Sequence, residues 1–278
     1  MLSRQPLSGL QTIRTPSQTK FSFREMLEVL DHIRRDISGL DRRAVLALIY
    51  TAFGLTFIYY LKDPGPVAKA LHGSDLQWLG SWIASSNDNN LPGLVWWVAV
   101  VTVFYLVGPL LIIRFWWNAD VRDFGLRLQI EPGFWKLLAA CTIVMLPLVY
   151  LMSLTEGFAA KYPFLRIYND EHYLGQTFLL WELIYFMQFL GLEFFFRGFL
   201  VHTLKRSLGL YSIFVMTVPY CMIHFGKPPA ETISAIAAGI FLGWLSYRNG
   251  SIWLGLALHC AVALSMDILA LWNKGLLF

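Results

Sequence analysis

The sequence predicts an all-α protein, a polytopic transmembrane bundle of about seven to eight helices with an N-terminal amphipathic helix. Three observations predict it. Of the 278 residues, 56% are hydrophobic and 16% aromatic while only 14% are charged, a balance too apolar for a soluble globular domain. The apolar residues gather in runs near 44–62, 93–115, 134–154, 177–203, 212–226, 230–247 and 251–272. Most are about the 20 residues needed to cross a ~30 Å hydrocarbon core, the fifth being short. The linkers are brief and rich in turn formers, which leaves room for one membrane domain and no second folded one.

Residues 1–42 read as a cytoplasmic tail with no charged-then-apolar-then-small pattern of a cleavable signal, so the first span is expected to serve as the targeting signal. Residues 1–20 look like a flexible tail. From Phe23 onward, Met26, Leu27, Leu30, Ile33 and Ile37 recur at helical spacing with Arg24, Arg34 and Arg35 between them. This pattern suits a helix lying in the membrane interface or a cytosolic helix packed on loops, and the first is our expectation.

Residues 43–278 form the bundle, and basic residues orient it. Eight Lys or Arg precede the first span; Arg114, Arg122, Arg127 and Lys136 flank the second turn; Lys205, Arg206 and Arg248 mark two more. The intervening loops carry fewer, which puts the N-terminus in the cytoplasm and the C-terminus on the far side of a membrane such as a bacterial inner membrane. The loop 63–92 is rich in Gly, Pro, Asn and Ser, and its stretch from Leu76 to Ile83 predicts a short interfacial helix with Trp at headgroup level. In the sixth span Gly239 and Gly243 make a Gly-x-x-x-Gly that permits close helix approach. No internal repeat is visible, against inverted-repeat transporters.

Composition also excludes classes. The net charge of +4 is dispersed with no basic cluster among aromatics, so nucleic acid is not expected as a partner; the lipid bilayer is. Cys141, Cys221 and Cys260 all fall in apolar runs, where a thiol behaves as a small hydrophobe and no disulfide framework is indicated.

The chemistry lies in titratable residues inside apolar runs: Glu193 and Arg197, one helical turn apart, with His224 and His259 on later spans. Ionised groups at membrane depth are costly unless they face a protein interior and find partners, so they mark a functional site. At ~1.5 Å per residue, Glu193 lies about 18 Å from Lys205, His224 about 18 Å from Ser212 and His259 about 13 Å from Gly250, similar depths on three helices. A structural Glu–Arg ion pair and two satisfied core histidines are the plain alternative. A carboxylate beside imidazoles in a low-dielectric pocket is, however, equipment for deprotonating water.

The string Gly191-Leu192-Glu193-Phe194-Phe195-Phe196-Arg197-Gly198, followed by Tyr220-Cys221-Met222-Ile223-His224 and by Gly250 through His259, resembles the three motifs of the CPBP family. These are the CAAX prenyl protease and bacteriocin-processing (ABI) intramembrane endopeptidases. The resemblance covers about 176–272. It implies a membrane helix bundle and peptide-bond hydrolysis by water activated between a glutamate and the second-motif histidine, His224, with His259 steadying the oxyanion. Glu193 and Arg197 match the family's second glutamate and arginine. Leu192 stands where its first glutamate belongs, Ala263 where the third-motif asparagine belongs, and Tyr220 replaces the usual phenylalanine. Either the base role has moved to Glu193 or hydrolysis has been lost.

Glu231, beyond a Gly-Lys-Pro-Pro turn, and Asp267, eight residues after His259 on nearly the same helix face, are possible additional site residues. Their alternatives are a helix N-terminal acid and an interfacial acid. Glu182 reads as an interfacial acid and His202 as a helix-end cation. Glu plus two His is also a zinc set, but no His-Glu-x-x-His exists here, so no cofactor and no metal are expected. The function predicted is an intramembrane endopeptidase acting on a membrane-associated or lipidated peptide or protein substrate. An inactive relative that binds such a partner, and a small proton-coupled transporter, are the alternatives.

Overall fold

In the computed structural model, residues 23–84, 90–127, 132–166 and 175–276 are described. They form eleven helices, and among them no strand occurs; a single antiparallel bridge joins Leu126 to Ser251. The chain divides after Leu40 into two units. In the first, α1 (Phe23–Ser38) is the expected amphipathic helix, with Phe23, Met26, Leu27, Leu30, Ile33 and Ile37 all exposed. The tail expected over 1–20 lies outside the described residues.

The second unit holds α2 (Arg42–Leu61), α3 (Pro64–Leu71), α4 (Gln77–Ile83), α5 (Leu91–Trp116), α6 (Phe134–Ser153), α7 (Glu156–Lys161), α8 (Gln176–Leu208), α9 (Tyr211–Met222), α10 (Pro229–Asn249) and α11 (Trp253–Asn273). Six of these, α2, α5, α6, α8, α10 and α11, are long and apolar enough to cross a membrane, and the protein is an integral multi-pass membrane protein. The expected fifth span is corrected: α9 has 12 residues, about 18 Å at 1.5 Å per residue, well short of the ~30 Å core.

Local chemistry sets the helix ends. Asp41 caps α2 by accepting from the amides of Arg43 (2.9 Å) and Ala44 (3.4 Å), and Asn90 caps α5 through Gly93 N (3.0 Å) with Pro92 in the first turn. Gly250 ends α10 in the left-handed conformation (φ 69°) that side chains resist. The loop after α2 folds into α3 and α4, and the predicted interfacial Trp78 and Trp82 are exposed there.

Cross-links define two ends of the bundle. At one, Asp41 accepts from Ser207 Oγ (2.7 Å), Arg43 donates to the Trp117 carbonyl (3.3 Å), Lys205 to the Tyr247 carbonyl (2.8 Å) and Trp253 Nε1 to the Arg127 carbonyl (2.6 Å). At the other, Trp96 Nε1 donates to the Leu61 carbonyl (2.8 Å) and Asn273 to the Ser153 carbonyl (2.9 Å). The helices α2, α5, α6, α8, α9, α10 and α11 therefore alternate in direction, so that among the six spans α8 and α10 run one way and α6 and α11 the other.

The 33-residue α8 is the axis of the bundle. Its apolar window is 61% buried inside the protein, against 6% for α6, which faces outward. In lipid, apolar surface gains little from leaving its solvent, so close packing and interhelical polar contacts hold such a bundle. The buried rings of α8 supply that packing: Phe195 stacks on Tyr105 of α5 (4.8 Å) and Phe199 on Trp117 (5.5 Å). Such pairs contribute about 0.5–1.5 kcal/mol each beyond area. Gly239 and Gly243 seat α10 against α9 as predicted. A Cβ on the first would stand 3.0 Å from the Tyr220 ring, and on the second 2.8 Å from Met216 Cε.

Candidate active site

Glu193 closes the regular part of α8, and from Phe194 to Leu200 the helix winds as a π-helix, a widened turn frequent at functional sites. Nothing in side-chain spacing marked it. Glu193 and Arg197 are both 0% exposed, and Glu193 Oε1 lies 3.1 Å from Arg197 Nη1, the ion pair that cancels much of the cost of burying either charge. The same oxygen is 2.6 Å from His259 Nδ1 on α11. Gly255, one turn earlier on α11, is what lets that helix come so near, because a Cβ there would run into the Glu193 carboxylate.

Tyr220 of α9 ties the rest together. Its ring carries the Arg197 guanidinium at 3.8 Å, its hydroxyl is 3.1 Å from His259 Nε2, and its carbonyl accepts from His224 Nδ1 at 2.8 Å. The His259 ring stacks on Phe189 at 5.3 Å. His224 stands in the turn after α9, not in a span, and among the described residues its hydrogen bonds and ring contacts run to Tyr220, Cys221, Lys227 and Thr232, with none joining it directly to Glu193 or His259. The structure thus brings Glu193, Arg197 and His259 into contact and attaches His224 through Tyr220.

A cavity of about 70 Å³ ends against Glu193. It runs between the start of α6 (Phe134, Leu137), the end of α10 (Ser246, Asn249) and the start of α11 (Ser251, Gly255), so it approaches from the end of the bundle that carries Asp41 and Lys205. Its volume admits a few waters. Ser246 also donates to the Arg197 carbonyl (3.0 Å) and lies 3.2 Å from His202 Nε2, so His202, read from the sequence as a helix-end cation, is part of the scaffold beneath the arginine.

Asp267 lies elsewhere, and Glu231 stands beside the turn that carries His224, with no contact among the described residues to Glu193, Arg197 or His259. Glu231 pairs with Lys227 (2.6 Å) and accepts from the Tyr162 hydroxyl (2.9 and 3.0 Å) at the far end of the bundle. Burial, and after it the neighbouring Tyr185 and Glu231, push the Tyr162 hydroxyl well above its ordinary range, so it remains a donor. Asp267 accepts from Trp181 Nε1 (3.4 Å) and sits beside Glu182. Glu182 is only 5% exposed, which corrects the interfacial reading: α8 turns this acid toward α11 and not toward headgroups. The missing motif positions are apolar and buried, Leu192 in the core cluster that holds Tyr220 and the α8 rings, Ala263 in the one that holds Trp181 and Phe189.

A multi-pass helical bundle with a Glu–Arg–His cluster buried between its spans is the class that fold and site define. Residues 174–265 match the family model of the type II CAAX prenyl endopeptidase, Rce1-like, in agreement with the resemblance to the CPBP family. That stretch contains Glu193, Arg197, His224 and His259. No curated protein and no solved structure matches the chain.

Proposed function

We propose that this protein is a membrane-embedded endopeptidase of the CAAX type, hydrolysing a peptide bond in a lipidated or membrane-associated substrate. The observation that carries the reading is the cavity that ends on Glu193, a carboxylate held between Arg197 and His259 inside the segment matching the endopeptidase family. Glu193 accepts a proton as a water oxygen bonds to the scissile carbonyl carbon, and the proton then passes to the leaving amine as the C–N bond breaks. Arg197 holds the carboxylate in place. His224, whose Nδ1 donates to the Tyr220 carbonyl, presents Nε2 as an acceptor for a proton of the attacking water. Among the described residues no three His, Cys, Asp or Glu side chains converge as a metal-binding set, and the mechanism we propose uses none. The end of the bundle with Arg43, Arg127 and Lys205 faces the cytoplasm in this reading, so water and substrate enter from that side.

The test is cleavage of a library of membrane-anchored peptides by the purified protein in liposomes. Cleavage abolished in Glu193→Gln and His224→Ala but indifferent to chelator is the expected result; full activity in Glu193→Gln overturns the assignment.

A second reading, a silent relative that binds such a peptide, is favoured by one observation: Leu192 and Ala263 are both tightly packed in apolar clusters. In that case the wild type binds without cleaving, and a Leu192→Glu/Ala263→Asn double variant gains cleavage.

A further inference from the structure

We infer that Tyr220 is a positioning residue that commits Nε2 of His259, whose Nδ1 is held by Glu193, and so makes this histidine the middle of a Glu193–His259–Tyr220 chain. The inference rests on the hydrolase reading only for its effect on rate; the chain itself is a matter of geometry.

An ionised carboxylate can only accept hydrogen bonds, so the His259 nitrogen 2.6 Å from Glu193 Oε1, Nδ1, must carry the proton. In the neutral ring Nε2 is then an acceptor, and the group 3.1 Å from it is a phenol, which can donate. The tautomer is therefore fixed from both sides. Tyr220 is 1% exposed and its ring bears the Arg197 guanidinium, so its hydroxyl has little freedom to turn elsewhere. Phe189 stacked on the imidazole, 7° from parallel, holds the ring plane.

Two consequences follow. His259 has no nitrogen left over for an oxyanion while the chain is closed, so its work is to orient and hydrogen-bond the Glu193 carboxylate, and the free imidazole nitrogen of the site belongs to His224. The phenol on α9 also supplies a polar contact to the third-motif histidine in a chain that carries Ala263 at the position of the third-motif asparagine.

The experiment uses the full chain in liposomes, labelled with ¹⁵N-histidine, with His259 assigned by comparison with His259→Gln. In the wild type the His259 signals should be those of the Nδ1–H tautomer with a hydrogen-bonded Nε2. Tyr220→Phe should move the Nε2 signal of His259 and leave His224 unchanged, because His224 uses the backbone carbonyl of residue 220, which phenylalanine keeps. Turnover should fall about fivefold with KM unchanged, the effect of one lost hydrogen bond. A wild-type His259 in the Nε2–H tautomer overturns the inference, even if the variant fails to fold. A folded Tyr220→Phe with an unmoved His259 signal also overturns it. The tautomer is read whether or not any peptide is cut, so a silent cleavage assay beside a Tyr220-dependent His259 signal removes the hydrolase reading and leaves the chain standing.

Discussion

Replacing Glu193 by Gln or Arg197 by Met should each destabilise the protein, and the two together should cost far less than their sum. In Glu193→Gln the guanidinium keeps its charge at 0% exposure, and among the described residues its remaining support is the Tyr220 ring. Removing one partner of a buried pair costs about 3–5 kcal/mol, of which a desolvated cation–π contact retains about 2. In Arg197→Met the carboxylate still has His259 Nδ1 at 2.6 Å, a charge-assisted contact of about 1.5–3 kcal/mol. The two single changes should therefore cost about the same, roughly 1–3 kcal/mol each. In the double variant no unpaired charge remains, so the coupling energy should reach about 2–3 kcal/mol, at the upper end for residues in contact. The assay is reversible unfolding in mixed micelles, with helicity as the signal and all four proteins in one detergent ratio. Additive losses would refute the arrangement of charges described here.

Three further outcomes follow from the same structure. Gly255→Ala places a methyl group against the Glu193 carboxylate, so peptide cleavage should drop at least tenfold while the circular dichroism spectrum stays helical; unchanged cleavage would show that α11 does not set the carboxylate's position. Gly239→Ala crowds the Tyr220 ring and Thr217 Cγ2, 3.1 Å from the new Cβ, and should cost about 1–3 kcal/mol in the micelle assay, whereas a neutral result would mean that α9 and α10 part without penalty. Asp41→Ala removes the cap of α2, about 1 kcal/mol at pH 7. The Ser207 hydroxyl, more than the amides of Arg43 and Ala44, holds the Asp41 carboxyl below its usual 3.8. Its contribution is therefore full above pH 3.8 and lost as the pH falls through the lower folded value, so the gap between wild type and variant should close only in strong acid. A gap independent of pH would exclude the ionised cap.

The sequence by itself determined the place and order of the six long spans, because in a bilayer each segment must satisfy its own backbone and therefore announces itself as a long apolar run; the fifth run it offered proved too short to cross. It also determined which charged residues are dear: Glu193, Arg197 and His259 stood out because ionisable groups inside such runs are rare, and the structure brings these three into contact. The Gly239 and Gly243 spacing foretold a close approach for a similar reason, since only the absence of a side chain permits it. What only the tertiary structure decided is what each group faces. Glu182, read as interfacial, is buried beside Asp267 because rotation of α8 about its axis is set by its neighbours and not by its own near-uniform hydrophobicity. Glu231 goes to Lys227 and Tyr162, and His224 to a turn after a helix too short to span, through loop geometry that composition does not encode. The π-helical turn around Arg197 and the cavity between α6, α10 and α11 arise from packing among distant segments. Tyr220 was visible only as a phenylalanine replaced; that its hydroxyl meets a histidine 39 residues away is a contact between two helices, which no local pattern in either helix contains.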